Sequence, residues 1–553
     1  MADRAVVASG HMVDAPDRPR PRFPQREVPR VSAAISAAFD SWNVGAGTTL
    51  ISGAARGADL IAAEQALERS ARVHIVLAMP REEFERRSVD LPGTDWAARF
   101  RRVLERAEVE VLDGPHDDGA FGRANARMIH IARELDQSPC AVIVWNGQEG
   151  DGPGGTRDFV RRLGYTGPDA HVCVIDPTPR VYEARQEPGT PKKLLALDGG
   201  GIRGVLSLEI LAALESRLRA YYGRDMKLAD YFDYIGGTST GAIIAAGLAF
   251  GKSVPEIRER YVSLGTKIFH KRFLPLRARS FYRDRPLTDE LVGFFGPGRT
   301  LGDPELKTLL LLVLHNSNTD SPWPLSNCTN AKYNRADRYL KSPPDRNLDL
   351  SLTTLIRGST AAPVYFPPQE IQIGAQTFTF EDGGVTPFNN PAMLMFLTAT
   401  LPEYGLHWPV GEEHLLIVSV GTGSSAAVHP NLLARHVNVL FEAKHLPSVF
   451  MNGSSTGQDL MCRAIGRTRA GDPIDLEVED RIGEPGISGS AFTYLRYNAD
   501  LSAKALASAG ITELAKQAEL RRLDAVGSMS QLQELGSRVG ATIDLERHFD
   551  GFL

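Results

Sequence analysis

The residues best equipped for covalent chemistry lie in three short runs: "DGGGIRG" (Asp198–Gly204), "GTSTG" (Gly237–Gly241) and "EDGG" (Glu381–Gly384). In the second, Ser239 stands between two glycines in the G-x-S-x-G pattern of a serine nucleophile. A hydroxyl so placed attacks an acyl carbonyl and gives an acyl-enzyme that water hydrolyses. The first run allows two readings. Gly199, Gly201 and Gly204 match the G-x-G-x-x-G spacing that cradles a pyrophosphate. The same N–H groups at a helix start would hold an oxyanion equally well. That loop alone does not decide.

The flanking elements do. "KLLAL" reads as a buried strand entering the glycine turn, with a helix from about Gly204. "YFDYI" is a β-rich run that meets "GTSTG", and an apolar helix follows at once. This strand–turn–helix context favours a nucleophile over a chance glycine turn. Ser239 then needs a base. The histidines that follow it (His270, His315, His407, His414, His429, His436, His445 and His548) sit in no motif that would position them. Asp382 is the better candidate. It closes the strand-like run "FTFE", and the two glycines after it allow a tight loop that fixes the carboxylate.

"DGGGIRG", "GTSTG" and "DGG", in that order, resemble the patatin-like phospholipase family, and "STAAPVYFPP" (Ser359–Pro368) resembles a segment which that family carries between nucleophile and acid. The resemblance covers about Lys193 to Gly423. It implies a Ser–Asp dyad without a catalytic histidine: Ser239 as nucleophile, Asp382 as base, and the N–H groups of Gly199, Gly200 and Gly201 as the oxyanion hole. It also implies that Arg203 orients a lipid phosphate, a local ion pair being the alternative. No cofactor is required for that chemistry, and no metal is expected.

Up to residue 178, apolar strand candidates alternate with helical patterns: "AVVAS", "TTLIS", "VHIVLAM", "VEVL", "AVIVW" and "HVCVID". Such alternation predicts a Rossmann-like parallel sheet covered on both faces. Three loops at strand ends gather small residues at helix starts. They are "SGHM" with Gly10; "SGAARGAD" with Ser52, Gly53, Arg56, Gly57 and Asp59; and "GPGGT" with Gly154, Gly155 and Thr156. Together they favour a nucleotide site. The region resembles the SLOG superfamily, which joins the DNA-processing DprA fold with the Lonely guy nucleotide hydrolases. "GPGGTRDF" lacks the third glycine and the catalytic glutamate of the Lonely guy motif, supplying Arg157, Asp158 and Phe159 instead. That favours sensing a nucleotide signal over cleaving one, and the resemblance extends to sensors of bacterial anti-phage systems.

The resulting expectation is an α/β chain of two doubly wound domains. Residues 1–178 form the Rossmann-like, SLOG-type sensor, 179–192 a linker, 193–425 a patatin-like hydrolase, and 426–553 a mostly helical extension packed on it. The 553 residues carry a net charge of −5, which speaks against nucleic acid as the main partner. Four cysteines (Cys140, Cys173, Cys328 and Cys462) without a C-x-x-C pair fit a reducing cytoplasm. The start lacks a signal-peptide core, and "TLLLLVLH" (Thr308–His315) is too short to span a bilayer. Membrane contact is therefore expected to be peripheral, with "RFLPLRARSFYRDRPL" (Arg272–Leu287) as a basic, aromatic candidate surface. The proline-bearing "DRPRPRFPQREVPR" (Asp17–Arg30) reads as an extended loop. Expected partners are a phospholipid or other acyl-ester lipid, a nucleotide effector and a homo-oligomeric copy. Two rival readings are N-glycosidic cleavage of a nucleotide by residues 1–178 and a non-catalytic scaffold. The missing glutamate weighs against the first, and the Ser239 and Asp382 motifs against the second.

Overall fold

The computed structural model describes residues 4–16, 18, 21–115, 117, 119–147, 154–164, 171–178, 189–268, 282, 285–335, 346–424, 439–475 and 477–553, without the side chains of 266, 268 and 439–448. The chain forms two compact units, Met1–Pro179 with Arg335–Arg346, and Arg180–Asn334 with Asn347–Leu553.

The N-terminal unit holds six strands: β1 (Arg4–Gly10), β2 (Thr48–Ser52), β3 (Arg72–Leu77), β4 (Glu108–Val111), β5 (Cys140–Val144) and β6 (Val172–Ile175). All are parallel, in the order β4-β3-β2-β1-β5-β6. The central strands are buried along almost their whole length because helices cover both faces. The chain leaves β1 toward one edge and returns at β5 toward the other. The carboxyl ends of β1 and β5 therefore flank the point where strand order reverses, where open sheets take ligands.

The second unit is built on a nine-stranded sheet: β7 (Lys192–Leu197), β8 (Tyr234–Thr238), β9 (Leu309–Asn316), β10 (Ser321–Ser326), β11 (Gln369–Ile373), β12 (Gln376–Asp382), β13 (Leu415–Val420), β14 (Arg467–Ala470) and β15 (Thr493–Tyr497). β9-β8-β7-β13-β15-β14 run parallel, while β12, β11 and β10 add antiparallel pairs around β9. The sheet is thus mixed rather than purely parallel. The C-terminal region does more than pack outside it. β15 lies beside β13 inside the sheet, with every residue of "TYLRY" buried. An arginine within a five-residue strand hides that burial from a hydropathy reading.

Most of the expected linker, most of Arg272–Leu287 and residues 425–438 at the start of the expected extension lie outside the described residues.

Candidate functional site

β8 ends at Thr238 and the helix Thr240–Ala249 begins one residue later, so Ser239 alone makes the turn. Its φ of 55° and ψ of −123° are strained for a residue with a side chain. The turn is possible because a Cβ on Gly237 would come within 2.1 Å of the Gly241 carbonyl oxygen, and one on Gly241 within 2.3 Å of the Leu197 carbonyl oxygen. Only bare backbone lets helix and strands approach so closely. The Ser239 N–H donates to Ser359 Oγ at 2.9 Å, and Ser359 in turn donates to the Val313 carbonyl at 2.7 Å.

Asp382 is the last residue of β12, and β12 runs beside β9. Ser239 Oγ donates to Asp382 Oδ2 at 2.6 Å, while Asp382 Oδ1 accepts the Gly384 N–H at 2.7 Å. Both residues are buried. Burial pushes the Asp382 carboxyl up to about 7, against the opposing pull of the Ser239 hydroxyl, the Gly384 N–H and the Arg357 charge. The pair can therefore hold and release a proton near neutral pH.

The glycine loop lies against this pair. A Cβ on Gly199 would meet Asn389 Oδ1 at 2.4 Å and Ser239 Cβ at 3.0 Å. Of the three expected oxyanion donors, two are occupied. The Gly199 N–H donates to the Asn389 carbonyl at 3.1 Å, and the Gly200 N–H to Thr240 Oγ1 at 3.2 Å. Buried N–H groups pair with whatever acceptor is near, and here the loop's own neighbours supply it. The N–H groups of Gly201 and Thr240, each opening a helical turn, have no acceptor among the described residues. Arg203 is not among the residues lining the cavity in front of Ser239. It is buried and donates to the carbonyls of Gly200 at 3.4 Å and Gly423 at 3.1 Å, bracing the loop from behind. Burial lowers its guanidinium to about 10.

That cavity is about 50 Å³, lined by Ser239, Asp382 and Gly201 with apolar Ile243, Phe366, Met451 and Leu523. It has room for a few waters. The described histidines His315, His407, His414 and His548 do not line it. His270, His429, His436 and the His445 side chain lie outside the described residues.

A family model for patatin-like phospholipases matches residues 195–396. The chain is 30% identical over 272 residues to a cGAMP-activated phospholipase of Vibrio cholerae, covering 47% of this chain and 71% of that protein. The chain belongs to the patatin-like phospholipase family. It is also 31% identical over 255 residues to patatin-like protein 1 of Arabidopsis thaliana (43% of this chain, 60% of that one), and 30% identical over 250 residues to a cGAMP-activated phospholipase of Escherichia coli (44% and 65%). The match thus spans less than two thirds of those last two proteins.

Several residues that complete the patatin-like site have no motif of their own. Asn389 Nδ2 donates to Ser455 Oγ at 2.9 Å and to the Gly199 carbonyl at 3.3 Å, and its backbone N–H donates to Ser454 Oγ at 3.1 Å. Ser454, Ser455 and the cavity-lining Met451 belong to the helix Val439–Ile465. The Leu523 carbonyl accepts the Ile202 N–H at 2.8 Å. The glycine loop is therefore seated by the C-terminal region, which sequence reading had left without a role.

In the N-terminal unit, the three glycine loops surround a second cavity of about 710 Å³. Gly10, Gly53, Arg56, Asp59, Gly154, Gly155 and Thr156 all line it. Ser52 and Gly57 do not. Ser52 is buried beneath, with its Oγ 3.5 Å from the Asp59 carbonyl, and at Gly57, φ 102°, an added Cβ would lie 2.8 Å from His11 O and Val13 N. The expected extended loop contributes Arg18 and Arg22, and Arg87 adds a further cation. His11 Nε2 pairs with Asn146 Oδ1 at 2.9 Å where strand order reverses, and burial lowers it to about 4, so it is neutral. Asp59 is buried, which raises it to about 7. Its Oδ2 takes the Ala55 N–H at 3.2 Å, while Oδ1 has no partner. Among the described residues, no cluster of three or more His, Cys, Asp or Glu is placed to hold a metal ion.

Proposed function

We propose that the patatin-like unit is a serine acyl hydrolase acting on phospholipids. The observation that carries this reading is the 2.6 Å bond from Ser239 Oγ to the buried Asp382 at the strained strand-to-helix turn. Asp382 accepts the Ser239 proton as Oγ attacks the ester carbonyl, and the leaving alcohol takes that proton back. The oxyanion is received by the N–H groups of Gly201 and Thr240 at two helical starts, each such donor contributing about 3 kcal/mol in comparable sites. Asp382 then activates the water that hydrolyses the acyl-enzyme. The chemistry asks for no cofactor.

The regulatory half of the reading is a nucleotide held in the N-terminal cavity. Its volume suits a nucleotide-sized ligand. Arg18, Arg22, Arg56 and Arg87 suit phosphate, and the buried Asp59 carboxyl in the wall suits a hydroxyl or amine donor. Two relatives are named as activated by cGAMP, which makes a cyclic dinucleotide the first ligand to try; an anti-phage effector is the setting that the N-terminal unit's resemblance to nucleotide sensors suggests.

The test is fatty-acid release from bacterial phospholipid vesicles, comparing wild type with Ser239→Ala across a panel of cyclic and NAD-derived nucleotides. Release that needs Ser239 and rises with one nucleotide supports both halves. Release indifferent to every nucleotide removes the regulation, and no release under any condition removes the hydrolase.

A further inference from the structure

We propose that the patatin-like unit docks on the lipid bilayer through one uncharged apolar surface. It consists of the outward face of the helix Val439–Ile465 from Val449 to Met461. This rests on the reading of Ser239 and Asp382 as a phospholipid hydrolase, because it assigns the surface through which that site meets its substrate.

The helix presents two opposite faces. On one, Met451 enters the catalytic cavity and Ser454 and Ser455 hold Asn389. On the other, Val449 and Phe450 are each 56% exposed, Leu460 38% and Met461 47%. Helical periodicity places 449/450, 453, 457 and 460/461 along one stripe. Gly453 and Gly457 lie in its middle, and among the described residues a Cβ added at either would meet nothing within 4 Å. The only charged residue from 449 to 461 is Asp459, and it is turned inward to Arg463 at 2.9 and 3.0 Å. The outward stripe therefore carries no charge.

A second apolar side chain, Val364, is exposed on the segment that helps line the catalytic cavity. It is 44% exposed, yet it sits between Ala362 and Tyr365, both of which line the catalytic cavity. Its φ of 74° is one that β-branched residues rarely adopt. A strained, exposed valine at the wall of a lipid-handling cavity gains from hydrocarbon what it loses in water. The substrate's chemistry selects the occupant. Diacyl lipids reside in bilayers, and the cavity of about 50 Å³ holds no acyl chain in this conformation, so the lipid must be drawn from a bilayer lying against its surroundings.

The experiment uses the full chain. In a Ser239→Ala background, co-sedimentation with vesicles of phosphatidylethanolamine and phosphatidylglycerol is measured for the double variants V449S/F450S and L460S/M461S. Partitioning at least tenfold weaker is expected for both. With Ser239 intact, vesicle hydrolysis should fall at least tenfold while hydrolysis of a short-chain, water-soluble ester stays unchanged. Phe450→Trp supplies a readout that preserves apolarity: its fluorescence should shift to the blue on vesicles. Unchanged partitioning of both double variants, or an unshifted tryptophan, overturns the proposal. So does a change of oligomeric state in place of vesicle binding, which would make the face a contact between copies of this chain. If vesicles bind through this face but neither vesicle lipid nor soluble ester is hydrolysed, the docking stands and the hydrolase reading fails.

Discussion

Arg496 reaches back 298 positions to clamp both carboxylate oxygens of Asp198, at 2.8 and 2.7 Å, one residue before the glycine loop. Both side chains are 4% exposed, and Ser419 Oγ takes a third bond from the guanidinium at 2.7 Å. Asp198 holds Arg496 firmly protonated. The loop beside Ser239 is therefore anchored by a strand that arrives near the end of the chain.

Removing one partner of this pair should cost far more than removing both. Arg496→Met leaves an uncompensated buried carboxylate and is expected to destabilise the patatin-like unit by about 3–5 kcal/mol. Adding Asp198→Asn should recover a substantial part of that. Denaturant midpoints of the three variants, followed by a probe in this unit, check the non-additivity.

Asp382 sets a pH dependence whose sign follows from its position. The reaction needs the carboxylate, so hydrolysis of a soluble ester should rise as pH passes through about 7. Stability should move the other way. The folded carboxyl binds its proton more tightly than the unfolded one at 3.8, so its contribution is full below that value and is lost as pH rises through about 7. Asp382→Asn should flatten the stability slope and abolish turnover. Melting temperature and initial rate, each across pH 4 to 9 in wild type and variant, separate the two effects.

Two glycines of the same unit should respond oppositely to alanine. At Gly241 the new Cβ would lie 2.3 Å from the Leu197 carbonyl oxygen and force the nucleophile turn apart. Gly241→Ala should destabilise by about 1–3 kcal/mol and reduce hydrolysis by more than the fraction unfolded explains. At Gly453 the Cβ meets nothing. Gly453→Ala should stabilise the helix by about 0.5–1 kcal/mol. Thermal melts paired with specific activity decide both.

In the N-terminal unit, Arg56→Ala removes a cation from the cavity wall and should weaken binding of an anionic nucleotide by about tenfold or more. Asp59→Asn keeps the shape but replaces a carboxylate oxygen of the cavity wall by an amide, and should change which nucleotide binds rather than how many. Isothermal titration with a set of cyclic dinucleotides is the measurement; equal affinities for wild type and both variants would place the ligand elsewhere.

The alternation of β-rich runs with helical patterns made all six N-terminal strands legible, because each is a short segment rich in β-branched residues, most of them set apart by helices. The positions of Ser239 and Asp382 were legible for a local reason: flanking glycines mark where backbone must turn tightly. What stayed hidden depends on contacts between distant segments. Arg203 looks like a ligand for phosphate until its burial behind the loop is seen. Asn389, Met451 and Leu523 carry no motif, since their roles arise only where elements from different parts of the chain meet. Arg496 carries no motif either, since a charge inside a strand signals exposure unless its partner is known.

The late arrival of β15 and Leu523 bears on synthesis. A nascent chain that has emerged only through the "DGG" run already carries Ser239 and Asp382 but lacks Arg496, Ser455 and the Leu523 carbonyl, which together seat the glycine loop. Such a chain lacks the groups that hold the loop beside Ser239. The loop's full set of contacts forms only once the segment through Leu523 is available to fold back on it.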